Sequence, residues 1–451
     1  MPGLVQGLEI ARRALFAHQA SLNVTGNNIA NVSTPGYTRQ VVDLVPSPSE
    51  RTPEGVLGTG VVMQSVKRAR DIFLDIQIRD EMGLAGKWSA RSNILTQVES
   101  VINEPSDDGL SSLLDGFWDS WLDLSNNPED PAARSVVVQS GVTLADGLRQ
   151  TDFRLRQIMD AADADIEQRV ANLNSLFQEA ANLNAQIRRA EVGGGVESNL
   201  RDRRDLILDE LAQKGGATNL VRTDGTVVVR MGGRTVVEGN SSVPLEAQRY
   251  NDDGRVRVRI VFAEDKTSPS FLSGELAGLL EARDQVLPDF LSKMDQMTQA
   301  ITTSVNRIHE AGPSHLPFFR GDRAQILEVV PEIAGDPSQV NAGTTGDAGD
   351  NDIALAVAAL RDARVMSRST ASIPDFYRSV VAEIGSLGQQ AKLLSDSQDK
   401  AVQSVEAQRQ SAIGVNLDEE LTRMMTTQKA YEAAARLFST VSTMLDTLLK
   451  M

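Results

Sequence analysis

The stretch ALFAHQASLNVTGNNIANVSTPGYTRQ, residues 14–40, contains no Asp, Glu, Lys or Arg from Ala14 to Thr38. It is too rich in Asn, Gln, Ser and Thr for a membrane span, and too poor in charge for a helix that faces water on its outer side. Apolar residues recur every seventh place at Leu8, Leu15, Leu22 and Ile29, flanked by Leu4, Ala11 and Val32, which predicts a helix with a heptad stripe. Gln19, Asn23, Asn27 and Asn31 recur every fourth place and line another side of that helix with amides. Amides donate and accept hydrogen bonds without the desolvation cost of a charge, so such a helix suits enclosure on most of its circumference. Pro35 and Gly36 end it in a turn, and the alternating YTRQVVDLV and GVVMQSV beyond read as an irregular hairpin.

The other end of the chain repeats the design. Leu417, Met424, Tyr431, Phe438 and Leu445 fall seven apart, with Leu421, Ala435 and Leu449 assigned to the second seam position. The two terminal helices are natural partners, yet a lone pair this small is marginal, and packing by neighbouring copies would complete it. Glu419 and Glu420, with Asp418, stand at the start of the last helix, where negative charge suits the macrodipole.

Between the ends, helical patterning resumes at Asp71, and a helix from Pro131 to Glu191 would be roughly 90 Å long. GGG at 193–195 breaks it, and a shorter helix follows in ESNLRDRRDLILDELAQ. The period then changes to two in TVVVRM, RTVVE and RVRVRIVF, separated by DG, GG and DDG turns. Helix returns from Ser273 to Glu310 with a break expected at Pro288. Residues 312–352 read as loops, and two more helices start at Ile353 and Ile373. The predicted fold is mainly α with a smaller β part, in a nested arrangement. A terminal coiled-coil pair (1–70 and 410–451) encloses an elongated helical rod (71–215 and 268–409), which carries an inserted antiparallel β domain (216–267).

Composition narrows the chemistry. A net charge of −16 speaks against nucleic acid or an anionic membrane as the main partner. No cysteine is available for a disulfide, a thiolate metal site or a nucleophile, and His18, His309 and His315 lack ligand spacing, so no metal or cofactor is expected. GDAGDND at 346–352 lacks the ligand pattern of a calcium loop, and no phosphate-binding loop or nucleophile elbow occurs. Nothing suggests a catalytic centre. The N-terminus has no cleavable leader pattern, and no stretch is long and apolar enough for membrane insertion, so release from the cell would need another route.

The residues Asn27-Asn28-Ile29-Ala30-Asn31 followed by Ser33-Thr34-Pro35-Gly36-Tyr37 closely resemble the N-terminal motif of bacterial flagellar rod and hook proteins, and SAIGVNLDEELTRMMTTQKAYEAAARLFSTVSTMLDTLL resembles their C-terminal counterpart. RARDIFLDIQIRDE, GLSSLLDGFWDSWLDLSNNPEDPAARSVVV, LRDRRDLILDELAQ, SGELAGLLEARDQVL and GDNDIALAVAAL are similar, in order, to segments of the hook-associated members of that family. The resemblance implies a non-enzymatic extracellular subunit of the flagellum, exported unfolded through the type III apparatus, joining hook to filament with an outermost domain that is reduced or absent. It implies as partners other copies, the hook protein, the next hook-associated protein and an export chaperone at the C-terminal region. On this reading the assembly residues are Leu8, Leu15, Gln19, Leu22, Asn23, Asn27, Asn28, Ile29 and Asn31 with Leu417, Met424, Tyr431, Phe438 and Leu445. A distal rod or hook subunit is the alternative within the family; a cell-wall glycan hydrolase and a cytoplasmic coiled-coil scaffold are more remote.

Overall fold

The heptad stripe forms α1, Pro2–Ala30, in a computed structural model that describes residues 2–52, 55–193, 195–252 and 254–450. The alternating residues that follow form β1 (Gln40–Pro46). It pairs antiparallel with β4 (Val61–Arg68) across an irregularity at Asp43/Leu44, and β2 (Glu50–Thr52) pairs with β3 (Gly55–Leu57) between them. Asp71 caps α2 (Ile72–Ile102) by accepting from the Phe73 and Leu74 N–H groups. After α3 (Leu110–Asn126), α4 runs unbroken over Pro131–Ala190, capped by Asp130 with Pro131 in its first turn. α5 (Ser198–Gly215) turns back along it.

β5 (Thr218–Val221), β6 (Val227–Met231), β7 (Arg234–Glu238) and β8 (Ser241–Ser242) form one antiparallel sheet in chain order, and β9 (Leu245–Asp252) with β10 (Arg255–Phe262) forms a hairpin of unbroken register. Gly194 of the GGG run and Asp253 of the DDG turn lie outside the described residues. Two asparagines of α4 attach these strands. Asn174 donates to the Leu245 carbonyl and accepts from its N–H, both at 2.8 Å; Asn184 does the same for Val227 at 2.8 and 3.0 Å. Each amide thus mimics a neighbouring strand and satisfies backbone groups that a short sheet leaves open.

The break expected at Pro288 does not occur. α6 (Glu275–Glu281) passes through one π turn at Ala282–Val286 into α7 (Leu287–His309), the Leu287 N–H reaching back to the Ala282 carbonyl. Widening the helix by one residue just ahead of Pro288 lets the chain continue through a residue that has no N–H to give. The segment expected as loops is also more ordered than its composition suggests. It contains β11 (Phe319–Arg320) paired with β12 (Glu328–Val329), and α8 (Pro331–Gly335), before α9 (Asp352–Ala358). Phe318 and Phe319 anchor it, their ring centroids 5.9 and 5.5 Å from that of Phe117, with Phe318 5.3 Å from Trp121. His309 is enclosed beside them, its Nδ1 donating to the Leu316 carbonyl at 2.7 Å and its Nε2 accepting from the Asn341 N–H at 2.9 Å, which fixes a neutral ring in a structural role. α10 (Ile373–Ile413) and α11 (Leu417–Leu449) complete the chain.

One continuous core runs from Ile94 to Ile384, and among the described residues it takes none from α1 or α11. At its lower end α2 crosses α5 and α6 almost backbone to backbone, because Gly86 lies on the Gln213 carbonyl and Gly278 on the Lys87 carbonyl. Gly278→Ala should lower stability by about 1–3 kcal/mol in urea titrations, whereas Gly116→Ala, a helical position open to space, should be neutral or gain about 0.5–1 kcal/mol. Burial also holds the His309 ring below its ordinary pKa, against the pull of the Leu316 carbonyl. The unfolded chain therefore takes up this proton first as pH falls through about 6.5, and stability should decline below that pH by up to about 1.4 kcal/mol per unit. Urea midpoints between pH 8 and 5 should show this slope in the wild type and lose it in His309→Gln.

Candidate functional site

α1 and α11 lie antiparallel in a single register. Asn28 meets Glu420, and a Cβ on Gly7 would lie 3.7 Å from the Val441 side chain; Gly7 stands 21 residues before Asn28, and Val441 21 after Glu420. On α11 the buried or half-buried seam is Glu420, Met424, Thr427, Tyr431, Ala434, Phe438, Val441 and Leu445, spaced alternately four and three. On α1 the contacts at Gly7 and Asn28 set a facing seam of Gly7, Ala11, Ala14, His18, Ser21, Thr25 and Asn28, spaced four and three and buried or half-buried throughout, while Leu8, Leu15, Leu22 and Ile29, the heptad read from the sequence, are half-buried one residue to its side. The second seam position of α11 therefore lies three residues after each heptad residue, whereas the sequence reading placed it four after. Leu421 is 47% and Leu449 77% exposed, while Ala434 and Val441 are each 8%. The small side chains at Gly7, Ala11 and Ala434 admit the close approach that this edge makes. Leu417, at the head of α11, is 44% exposed.

Of the amide stripe, Gln19, Asn23 and Asn27 face outward and Asn31 is half-buried. Its lower part closes on itself, since Asn31 Nδ2 donates to the Asn27 carbonyl and side-chain oxygens and Asn27 Nδ2 donates to the Tyr37 hydroxyl at 3.3 Å. The buried amide is the one outside the stripe. Asn28 Nδ2 donates to the Gln40 carbonyl at 2.9 Å and to Glu420 Oε2 at 3.0 Å, while its Oδ1 accepts from the Gln40 N–H at 2.9 Å and from the Tyr37 hydroxyl at 2.8 Å. Arg39 Nε donates to the other Glu420 oxygen at 2.7 Å. Glu420, read from the sequence as a charge for the helix dipole, is fully buried; Asn416 does the capping, accepting from the Asp418 and Glu419 N–H groups. Tyr37 is pushed up to about 12 by burial and by the nearby Asp202 and Glu420 charges.

The terminal unit rests on α5 through charge. Asp202 accepts from the Thr38 N–H at 3.1 Å and from Arg68 at 2.6 Å; Asp205 takes Arg68 at 2.8 Å and Arg70 at 2.9 Å; Asp209 takes Arg79 at 2.7 Å and Arg409 at 2.9 Å. Burial pushes the Asp205 carboxyl up, but Arg70, Arg68, Arg204 and Arg79 outweigh it and hold the group below its ordinary value. Arg204 is pushed down to about 10 by burial, with Asp205 opposing and the neighbouring arginines adding to the shift. Gly36 seats the turn against this plate, with φ +74° and a Cβ position only 2.6 Å from Leu206 Cδ1, so a side chain there would be strained and would push Leu206 aside. A cleft of about 530 Å³ opens between this turn, α5 and the end of α10. Each carboxylate lining it is engaged by an arginine, an arrangement suited to holding segments together.

The sequence reading missed this plate and the buried role of Glu420. The signals were present: RARD and RDRRD crowd arginines and aspartates into short segments, and Glu420 stands four places before Met424. Among the described residues no group of three His, Asp or Glu side chains is arranged to hold a metal ion, and no helix is long and apolar enough to cross a membrane.

Comparison with known proteins matches three segments of the chain. Residues 8–38 match the family described as flagella basal body rod protein, residues 406–451 the flagellar basal body rod FlgEFG protein C-terminal family, and residues 95–316 the flagellar hook-associated protein FlgK helical domain. The flagellar hook-associated protein 1 of Bacillus subtilis is 32% identical over 99% of this chain and 98% of its own length. That of Escherichia coli is 26% identical over 97% of this chain and 98% of its own length. The solved flagellar hook junction protein FlgK from Burkholderia pseudomallei superposes with a TM-score of 0.65 at 15% identity, covering 74% of this chain and 100% of that one, a likeness of fold. The buried Asn28–Glu420 contact joins the first two segments, and Asp202 and Asp205 belong to the third. Asp205→Ala would leave Arg68 and Arg70 short of a partner in a buried site and should cost about 3–5 kcal/mol in urea unfolding.

Proposed function

We infer the role of this protein from one premise: the chain belongs to the family of flagellar hook-associated protein 1. It is a structural protein of the bacterial flagellum, at the junction of hook and filament. In our reading, copies of the chain assemble side by side through the paired terminal helices (1–70 and 410–451) in the inner part of the axial structure. The helical rod (71–215 and 268–409) and the strands at 216–267 face outward. Hook protein adjoins the assembly on one side and the next hook-associated protein on the other.

The observation that carries this reading is the outer surface of α1. Val5, Phe16, Gln19 and Asn23 are exposed on a helix that shares nothing with the main core, and from Ala14 to Thr38 no charge interrupts that surface. Such a face loses little on leaving water and gains contacts from a neighbour. α11 adds exposed Leu421 and Met425 on one flank of its seam and Leu437 and Met444 on the other, apolar side chains that call for a covering partner before assembly, the place we assign to an export chaperone. Passage out of the cell in an unfolded state completes the proposal.

The double substitution Gln19→Glu with Asn23→Glu changes only outward positions, so stability should stay within about 0.5 kcal/mol of wild type. Buried at an interface between copies, the two charges should abolish filament attachment in a strain lacking its own junction protein, scored by electron microscopy of hooks. Normal filaments on such hooks would overturn the assignment of the α1 face.

A further inference from the structure

Both terminal helices carry heptads, so pairing α1 with α11 is one of several associations open to them. α11 in particular could pair with a second α11, since its seam already contains Met424, Tyr431, Phe438 and Leu445 and its flanks expose further leucines and methionines. Apolar seams of this kind distinguish poorly between partners and registers. We propose that Glu420 is the specificity-determining residue of the terminal pair, a buried carboxylate whose needs are met only when α11 lies against α1 in the observed register.

Glu420 occupies a seam position and is 0% exposed. Its two oxygens are held by side chains from the other end of the chain, Oε2 by Asn28 Nδ2 and Oε1 by Arg39 Nε. Asn28 is itself fixed by Gln40 and Tyr37, so the donor aimed at Glu420 cannot follow a displaced partner. A slip of one heptad would set the carboxylate against the neighbourhood of Ser21 and Leu22 in one direction, or beyond the end of α1 in the other. A parallel α11 pair would bring two Glu420 side chains face to face with no amide between them, and an antiparallel pair would set each against the leucines at the far end of the other helix. Each alternative buries a charge without its donors, which costs more than the apolar contacts distinguish. Where assembly crowds many copies together, this residue would keep each α11 on an α1.

The inference deepens the assembly reading, but its test is made in solution and does not depend on whether the chain joins a hook. The chain has no cysteine, so pairs can be introduced cleanly in the full-length protein. Gly7→Cys with Val441→Cys reports the observed register as an intramolecular disulfide, and Ala434→Cys alone, at the middle of the seam, reports α11–α11 pairing of either sense as a covalent dimer. With Glu420 intact, the double variant should close within the monomer and the single variant should remain monomeric. Glu420→Leu should cut the intramolecular product and raise the covalent dimer of the single variant at least tenfold. Glu420→Gln, which keeps an acceptor for Asn28, should fall between. Unchanged products in Glu420→Leu would overturn the proposal. Loss of the intramolecular product without a gain in dimer would overturn it equally, by showing that Glu420 orders the helix and does not choose its partner.

Discussion

A carboxylate enclosed at the meeting point of both chain ends governs how the lower part of this molecule is arranged. Glu420 requires donors, and the sequence supplies them from Asn28 and Arg39, on either side of the turn that follows α1. Satisfying that one group fixes the rotation of α11, the register of the helix pair and the path of residues 31–40. The same turn then presents the Thr38 N–H, and β4 presents Arg68, to the aspartates of α5. The terminal pair is thus attached to the rod by polar contacts of defined geometry, while the apolar core ends at Ile94 and Ile384. Buried polar contacts are poor sources of net stability and good sources of uniqueness, which suits a unit that leaves many apolar side chains exposed.

Much of the architecture was legible because it rests on periodicity. The seven-residue spacing gave both terminal helices, and Pro131 with the apolar repeat gave α4 to within a residue of its ends. The charge-free run covers an outward face of α1, on which Gln19, Asn23 and Asn27 are exposed. What periodicity could not settle was which flank of a heptad is inside. Leu421 and Glu420 are adjacent, and hydrophobicity alone favours the leucine; the choice was made by donors that lie 392 and 381 residues away in sequence. Pro288 misled for a related reason, since the π turn that accommodates it depends on packing that local sequence does not announce.

The charge plate shows the same limit. RARD and RDRRD each look like solvated helix termini, and read separately they would be worth little. Brought together, Arg68, Arg70 and Arg79 meet Asp202, Asp205 and Asp209 in a site where each charge is answered by another element. RARDIFLDIQIRDE and LRDRRDLILDELAQ, two of the segments that resemble hook-associated proteins, contain these six residues.

The asparagine clamps carry a last consequence. Asn174 and Asn184 grip Leu245 and Val227 by the peptide group, which is identical at every residue except proline. Side chains pointing away from α4 on those strands contribute nothing to the grip. The far side of those strands can therefore drift in composition while their anchorage to the helical shaft stays as it is.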